Sequence, residues 1–275
     1  MPEHQEDTVP SRPITSTHPV TTVILTTIAL ILLLGLGGTV IYLTGLPLAS
    51  PVPLVFAPIA AGLVIWASVT RRWGMLGFGR PRVRGNRAAW RLVLLPLLAV
   101  FLLVLVSTGG AATQTLGAWL GLIGFVALVA FVEETLFRAV LLRLLAPRGA
   151  RAAVLVSSAA FALAHAVNLL GGQDLPSTLA QIGFAAAYGL FAACAFLRTG
   201  SLWPLLAFHA LFDLAQLSSV RQTPPAVDAV MTVILLAGAV WLWAGIRRSS
   251  TLQNQATGAG TTSWSTALGT TPTPM

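Results

Sequence analysis

The feature that most constrains this chain is a series of long apolar stretches separated by short polar breaks. A membrane-spanning helix needs about 20 apolar residues, because each residue rises about 1.5 Å and the hydrocarbon core is about 30 Å thick. Eight stretches have about this length, although the seventh is short; they cover residues 20–43, 51–70, 90–107, 116–142, 152–170, 177–197, 201–217 and 226–246. The sequence therefore predicts an all-α fold, a polytopic membrane helix bundle of about eight transmembrane helices.

The composition favours the same fold class. Hydrophobic residues make up 56% of the chain and charged residues only 9%, whereas a soluble domain carries about 25% charged residues. The formal net charge is +8, and every basic side chain is an arginine. Because the arginines lie between the apolar stretches, we expect them to fix the topology and to contact lipid headgroups. The bilayer is thus an expected partner, and nucleic acid is not.

The distribution of the arginines predicts the orientation. If both termini lie in the cytoplasm, every arginine except Arg138 and Arg221 is on the cytoplasmic side or in the cytoplasmic N-terminal tail. This asymmetry follows the positive-inside rule. We therefore expect a multi-pass protein of the cytoplasmic (plasma) membrane, with a transmembrane domain over residues 20–248. Residues 1–19 and 249–275 are polar and are predicted to be disordered tails.

The ionisable residues within the predicted spans form a short set: Glu133, Glu134, Arg138, His165, His209 and Asp213. A charge in hydrocarbon is costly, so each such residue suggests a functional site. Glu134 and Arg138 are four residues apart on a helix and can form an ion pair. Glu133 points about 100° away from that face, so it remains available for another task.

Two further pairs have the same helical spacing. His209 and Asp213 can share one helix face, where the carboxylate can hold one imidazole nitrogen and fix the tautomer. Phe161 and His165 repeat the spacing in another span. From the helical rise, Glu133, His165 and His209 lie roughly 15 to 21 Å from the cytoplasmic ends of their spans, so they can meet in one cavity.

The three patterns together resemble the motif set of the CPBP family, which comprises the CAAX proteases and the bacteriocin-processing (Abi) intramembrane proteases. They are Glu133-Glu134-x-x-x-Arg138, Phe161-x-x-x-His165 and His209-x-x-x-Asp213, on three different spans. The resemblance covers about residues 90–217, which we take as the protease-like core, and includes the type II CAAX prenyl endopeptidases. It implies an intramembrane endopeptidase that hydrolyses a peptide bond of a membrane-associated protein or peptide.

The resemblance also implies a role for each motif residue. Glu133 would act with His165 to activate a water molecule, and His209 with Asp213 would stabilise the oxyanion. Glu134 and Arg138 would hold the architecture, whereas for Phe161 core packing and a role in the site are equally compatible with the pattern.

No cofactor is certain from the sequence. Two histidines and a glutamate (His165, His209 and Glu133) can bind Zn²⁺ and leave one position for water. The chain has no His-Glu-x-x-His sequence, and the resemblance is compatible with a glutamate-type or a metal-dependent enzyme. We favour the metal-independent form.

Two functions of other classes use similar residues. Membrane glutamates and histidines also serve as proton relays in proton-coupled transporters, but this chain shows neither an inverted repeat nor a matching pair of broken helices. A non-catalytic membrane scaffold or immunity protein with the same fold is the other alternative.

Overall fold

The computed structural model describes residues 18–46, 50–81 and 87–257, with the backbone alone from 248 to 257. Eight main helices follow one another: α1 (Pro19–Thr44), α2 (Val52–Val69), α3 (Arg87–Thr108), α4 (Leu116–Leu144), α5 (Ala150–Ala164), α6 (Leu175–Thr199), α7 (Trp203–Leu217) and α8 (Pro225–Thr257). Each corresponds to one predicted apolar stretch, which confirms the all-α fold class. The described residues form no strand, only an isolated bridge between Ala111 and Ser219.

Seven of these helices are long and apolar enough to cross a membrane. The exception is α7, which has 15 residues and therefore rises only about 22 Å, less than the hydrocarbon thickness of about 30 Å. The count of transmembrane helices is thus seven, or eight if α7 is included. Pro204 at the start of α7 and Ser218 at its end limit its length.

Helix α6 lies at the centre and packs against α5 on one side and α8 on the other. Small side chains allow this close packing, as is common between membrane helices. A Cβ atom added to Gly189 would lie 3.1 Å from Ser158 Cβ on α5. The outer surface carries exposed apolar side chains such as Leu32, Val106 and Val240, as expected for a surface in lipid.

Helix ends coincide with identifiable capping residues. Thr115 accepts a hydrogen bond from Ala118 N and begins α4, and Asp174 accepts one from Ser177 N and begins α6. Hydrogen bonding between Asp174 and Ser177 lowers the pKa of the Asp174 carboxyl below its usual 3.8. Gly200, in the left-handed conformation at φ 67°, ends α6, where glycine carries no steric cost.

Two motif-bearing helices change geometry at the motifs. In α4 the α-helical hydrogen bonding ends at Glu134, and Thr135–Leu141 forms a π-helix that contains Arg138. In α5 the regular helix ends at Ala164, and His165–Leu169 forms a 3-10 helix. The sequence did not predict either change. π-Helical turns are rare and occur frequently at functional sites.

The C-terminal boundary differs from the predicted one. Helix α8 continues to Thr257, whereas we expected a disordered tail from residue 249. Residues 249–257 contain neither glycine nor proline, and the first glycine after them is Gly258, so nothing in the sequence forces the helix to stop earlier. At the other end, helix α1 begins at Pro19, within the predicted tail of residues 1–19. Residues 1–17 and 258–275 of the predicted tails lie outside the described residues.

Candidate active site

His209 is the meeting point of the candidate site, where helix α7 faces helix α4. Its Nδ1 atom lies 2.9 Å from Glu134 Oε1. Its Nε2 atom lies 3.4 Å from Asp213 Oδ2 and 3.7 Å from Glu133 Oε2. The structure thus brings together both glutamates of one motif and both residues of another. Because ionised carboxylates only accept hydrogen bonds, this arrangement favours an imidazolium that presents an N–H group from each ring nitrogen.

Glu134 does more than form the expected ion pair with Arg138. Its side chain is fully buried, and Oε2 lies 3.2 Å from Arg138 Nε, without the alignment of a hydrogen bond. Oε1 contacts His209 Nδ1 and also accepts a hydrogen bond from the Tyr188 hydroxyl at 3.1 Å. One carboxylate therefore holds side chains from α4, α6 and α7.

Asp213 and Glu134 face opposite nitrogens of the His209 ring, and the role of Asp213 in holding that ring stays a prediction. Asp213 Oδ2 faces Nε2 at 3.4 Å, but this contact is an ion pair rather than a short hydrogen bond. The hydrogen bond at 2.9 Å joins Nδ1 to Glu134. The physical reason is position: Asp213 is one turn along α7 from His209, on the more exposed side, whereas Glu134 reaches the opposite ring nitrogen from α4.

Arg138 lies beneath the acids and is only 1% exposed. Its Cζ atom is 3.9 Å from the centroid of the Phe161 ring and 5.3 Å from that of Tyr188. None of its three side-chain nitrogens makes a hydrogen bond to a residue in the described part of the chain. The guanidinium is therefore stabilised by Glu134 and by two aromatic faces, which attract a cation more strongly when water is excluded. Phe161 thus packs directly against the charged cluster.

Tyr188 is a member of the site that sequence reasoning missed. It lies on α6, is buried, and its hydroxyl is near both Glu134 Oε1 (3.1 Å) and Leu205 O (3.3 Å). Both atoms are acceptors, so the single hydroxyl proton serves one of them at a time. A signal was present: the chain has only two tyrosines, and a buried tyrosine usually has a hydrogen-bond partner for its hydroxyl.

His165 lies at the edge of this cluster rather than in direct contact with it. Its Nδ1 atom is 2.9 Å from the carbonyl oxygen of Phe161. A carbonyl oxygen only accepts, so Nδ1 is the donor in this contact. The ring is also 4.9 Å from that of Phe161, edge to face. No hydrogen bond or ion pair between described residues joins the side chains of His165 and Glu133.

The cluster has a closed side and an open side. The Glu134 side chain has no exposed surface, whereas that of Glu133 is 16% exposed and that of Asp213 is 27% exposed. Glu133 Oε2 also has no hydrogen-bond partner within the described ranges. The open side therefore presents parts of the Glu133 and Asp213 side chains, whereas Glu133 Oε2 and the His209 ring are buried next to them. His165 is partly exposed.

The geometry does not fit the zinc site considered from the sequence. No group of three or more His, Cys, Asp or Glu residues among those described is arranged to hold a metal ion. A histidine ligand needs a ring nitrogen with a free lone pair, but both nitrogens of His209 face carboxylate oxygens. Among His165, His209 and Glu133, the described contact is the one of 3.7 Å between His209 Nε2 and Glu133 Oε2.

Comparison with known proteins agrees with the motifs. A family model described as type II CAAX prenyl endopeptidase Rce1-like matches residues 115–215. This segment runs from the cap of α4 into α7 and contains every motif residue described above. The resemblance to CAAX protease-like proteins is therefore confirmed over this segment. No curated protein and no solved structure matches the chain.

Proposed function

Since residues 115–215 carry the CAAX protease-like family signature, we propose that the chain is a membrane-embedded endopeptidase that hydrolyses a peptide bond of a membrane-associated protein or peptide. The observation that carries this proposal is the open side of the cluster. Next to it, Glu133, whose side chain is 16% exposed, approaches the buried His209 ring to 3.7 Å between Oε2 and Nε2. Peptide hydrolysis needs a base for water and a hydrogen-bond donor for the oxyanion.

Glu133 is the proposed general base. Its side chain is partly exposed, and its Oε2 atom is buried without a hydrogen-bond partner among the described residues. A water molecule between Glu133 and His165 Nε2 would donate a proton to the carboxylate as its oxygen attacks the substrate carbonyl carbon. Glu133 would then return that proton to the amide nitrogen as the C–N bond breaks, which leaves a carboxylic acid and an amine; the acid then loses its proton to water.

His209 is the proposed oxyanion donor. Its Nδ1 atom contacts Glu134, which fixes the ring so that Nε2 faces Asp213 and Glu133. When the carbonyl oxygen becomes negatively charged, an N–H group at Nε2 can donate to it. A preorganised donor of this kind lowers a reaction barrier by about 3–4 kcal/mol. Asp213 would keep the imidazolium charged beside the reacting carbonyl.

Glu134, Arg138, Tyr188 and Phe161 are the proposed supporting residues. They lie beneath His209 and hold its ring without reaching the open side. In this account the enzyme is of the glutamate type, because the donor set does not fit zinc.

The experiment that tests the function is the replacement of Glu133 by glutamine, which keeps the shape and removes the base. Cleavage is expected to disappear while the protein remains folded and inserted. A scaffold protein would keep its cellular effect in this variant, and a transporter would show proton-coupled flux in sealed vesicles.

The proposed location is the cytoplasmic membrane with both termini in the cytoplasm, in line with the arginine distribution.

A further inference from the structure

The segment Arg71–Pro81, which we call the cap segment, joins α2 to α3 and is fixed on the junction between α6 and α7. Leu202 N donates a hydrogen bond to Gly77 O at 3.0 Å, and Trp203 Nε1 donates one to Phe78 O at 3.3 Å. Gly77 has φ +92°, and a Cβ atom there would lie 2.6 Å from Phe196 Cε2. The cap segment therefore has a defined conformation that depends on this glycine.

Side chains of the cap segment also pack against helix α4. Leu76 is fully buried. The Phe78 ring contacts Trp73, Trp203 and Phe131, with centroids 5.3, 5.4 and 5.9 Å away. Phe131 lies two residues before Glu133 on α4. The cap segment is thus in contact with the two helices that carry Glu133 and His209.

The positive charge of the cap segment is not balanced by any ion pair among the described residues. Arg71, Arg72 and Arg80 are exposed, and none of the ion pairs between described residues includes them. The sequence contains no acid between Asp7 and Glu133. Exposed guanidinium groups on an ordered segment offer several N–H donors to an anion, with the planar geometry that suits phosphate.

The surroundings indicate the membrane surface. The cap segment lies where α2 and α6 end and α3 and α7 begin, so it is at a mouth of the bundle. Trp66 and Trp203 beside it are 37% and 58% exposed, and tryptophan is enriched at the headgroup level. The Arg72 guanidinium lies 5.7 Å from the Trp66 ring centroid. Tryptophan and arginine thus occupy the same rim.

We propose that the cap segment binds the phosphate headgroups of anionic phospholipids through Arg71, Arg72 and Arg80. The site is distinct from the catalytic cluster and does not depend on the protease proposal. Through Phe78, which contacts Phe131 in the middle of α4 and Trp203 at the start of α7, a bound lipid also stabilises the two helices that carry Glu133 and His209. The other occupant with suitable charge is the acidic stretch Glu3–Asp7 of the same chain, which the experiment distinguishes.

The test is a lipid titration of the purified full-length protein in detergent, with bound lipids counted by native mass spectrometry. Phosphatidylglycerol and phosphatidylcholine of equal chain length are compared. The wild-type protein is expected to bind phosphatidylglycerol more tightly. In Arg71→Gln/Arg72→Gln, the affinity for phosphatidylglycerol should fall about tenfold or more, with little change for phosphatidylcholine.

The matched control is Arg148→Gln/Arg151→Gln, which removes two exposed arginines from the same mouth of the bundle but outside the cap segment. It is expected to keep the wild-type affinity. Equal losses in the two double variants would overturn the proposal, because general surface charge would then explain binding. A marked rise in lipid affinity in the variant Glu3→Gln/Glu6→Gln/Asp7→Asn would also overturn the proposal. It would mean that the acidic stretch occupies the arginines of the cap segment in the wild-type protein. Thermal unfolding of each variant verifies that it is folded.

Discussion

Glu134 Oε1 on helix α4 lies 2.9 Å from His209 Nδ1 on helix α7. This contact joins two motifs that are 75 residues apart in the chain and determines which ring nitrogen faces the open side of the site. It also explains why two adjacent glutamates have different environments. Glu134 is enclosed and holds the histidine, whereas Glu133 is partly exposed and faces its other nitrogen.

The ion pair between Glu134 and Arg138 is expected to contribute strongly to stability. Glu134→Gln should destabilise the protein by about 3–5 kcal/mol, because it leaves a buried guanidinium without its counter-charge. Arg138→Met should have a similar effect on the buried carboxylate. The double variant should lose less than the sum of the two single losses, since removal of both charges leaves neither unpaired. Thermal or chemical unfolding in detergent measures this, and strictly additive losses would show that the two groups are not coupled.

The hydroxyl of Tyr188 is expected to position Glu134. Tyr188→Phe removes only the oxygen that donates to Glu134 Oε1 or to Leu205 O. A lost hydrogen bond of this kind costs about 1–2 kcal/mol in the free energy of unfolding. The control is Tyr42→Phe, because Tyr42 is 86% exposed and its hydroxyl makes no described hydrogen bond. A fall in stability that is equal in both variants would rule out the specific role of Tyr188.

Asp174, which lies at the N-terminus of α6 and outside the membrane-spanning segments, makes a pH-dependent contribution to the stability of the protein. Hydrogen bonding to Ser177 lowers the pKa of Asp174 in the folded protein below its usual 3.8. The ionised form is therefore favoured by folding, and its stabilising effect is present above that usual pKa and is lost as the pH falls through the lower folded value. Unfolding temperatures of the wild type and Asp174→Ala should differ at neutral pH and converge in strong acid. A difference that stays constant through acid pH would contradict this.

The proposed orientation predicts opposite accessibility of the two faces. Cys194 is buried, so we expect the maleimide to react only with the single cysteine that is introduced. In intact cells a membrane-impermeant maleimide should label Thr223→Cys, in the loop between α7 and α8. It should label Pro147→Cys, between α4 and α5, only after permeabilisation. The reverse pattern would invert the topology, and labelling of both sites in intact cells would show that they do not lie on opposite sides.

Much of the fold could be predicted because hydropathy and chain breaks are local properties. The eight apolar stretches and the spacing of Glu134 and Arg138 depend only on neighbouring residues. The short length of α7 could be predicted for the same reason. The continuation of α8 to Thr257 was missed because a polar composition was interpreted as disorder, although the segment has no helix-breaking residue before Gly258.

The partners within the site could not be predicted, because they depend on how each helix is rotated against the next. Spacing within α7 suggested that Asp213 holds His209, but Glu134 from α4 forms the shorter contact. The π-helix Thr135–Leu141 alters the direction of the side chains after Glu134, and no local sequence pattern predicted this π-helix. Tyr188 entered the cluster because α6 packs in the centre of the bundle.

The carboxylate of Glu133 is the group on which the proposed peptide hydrolysis depends most directly. Wild-type protein and Glu133→Gln are expressed at equal levels in cells of one strain, and new N-termini in the membrane fraction are identified by mass spectrometry. Asp228→Asn, on α8 and away from the cluster, is the control for removal of a membrane-helix acid. We expect the N-termini that appear with the wild type and with Asp228→Asn to be absent with a folded, inserted Glu133→Gln protein. The same N-termini at the same abundance with Glu133→Gln would contradict the proposal that this glutamate is the base of an intramembrane endopeptidase.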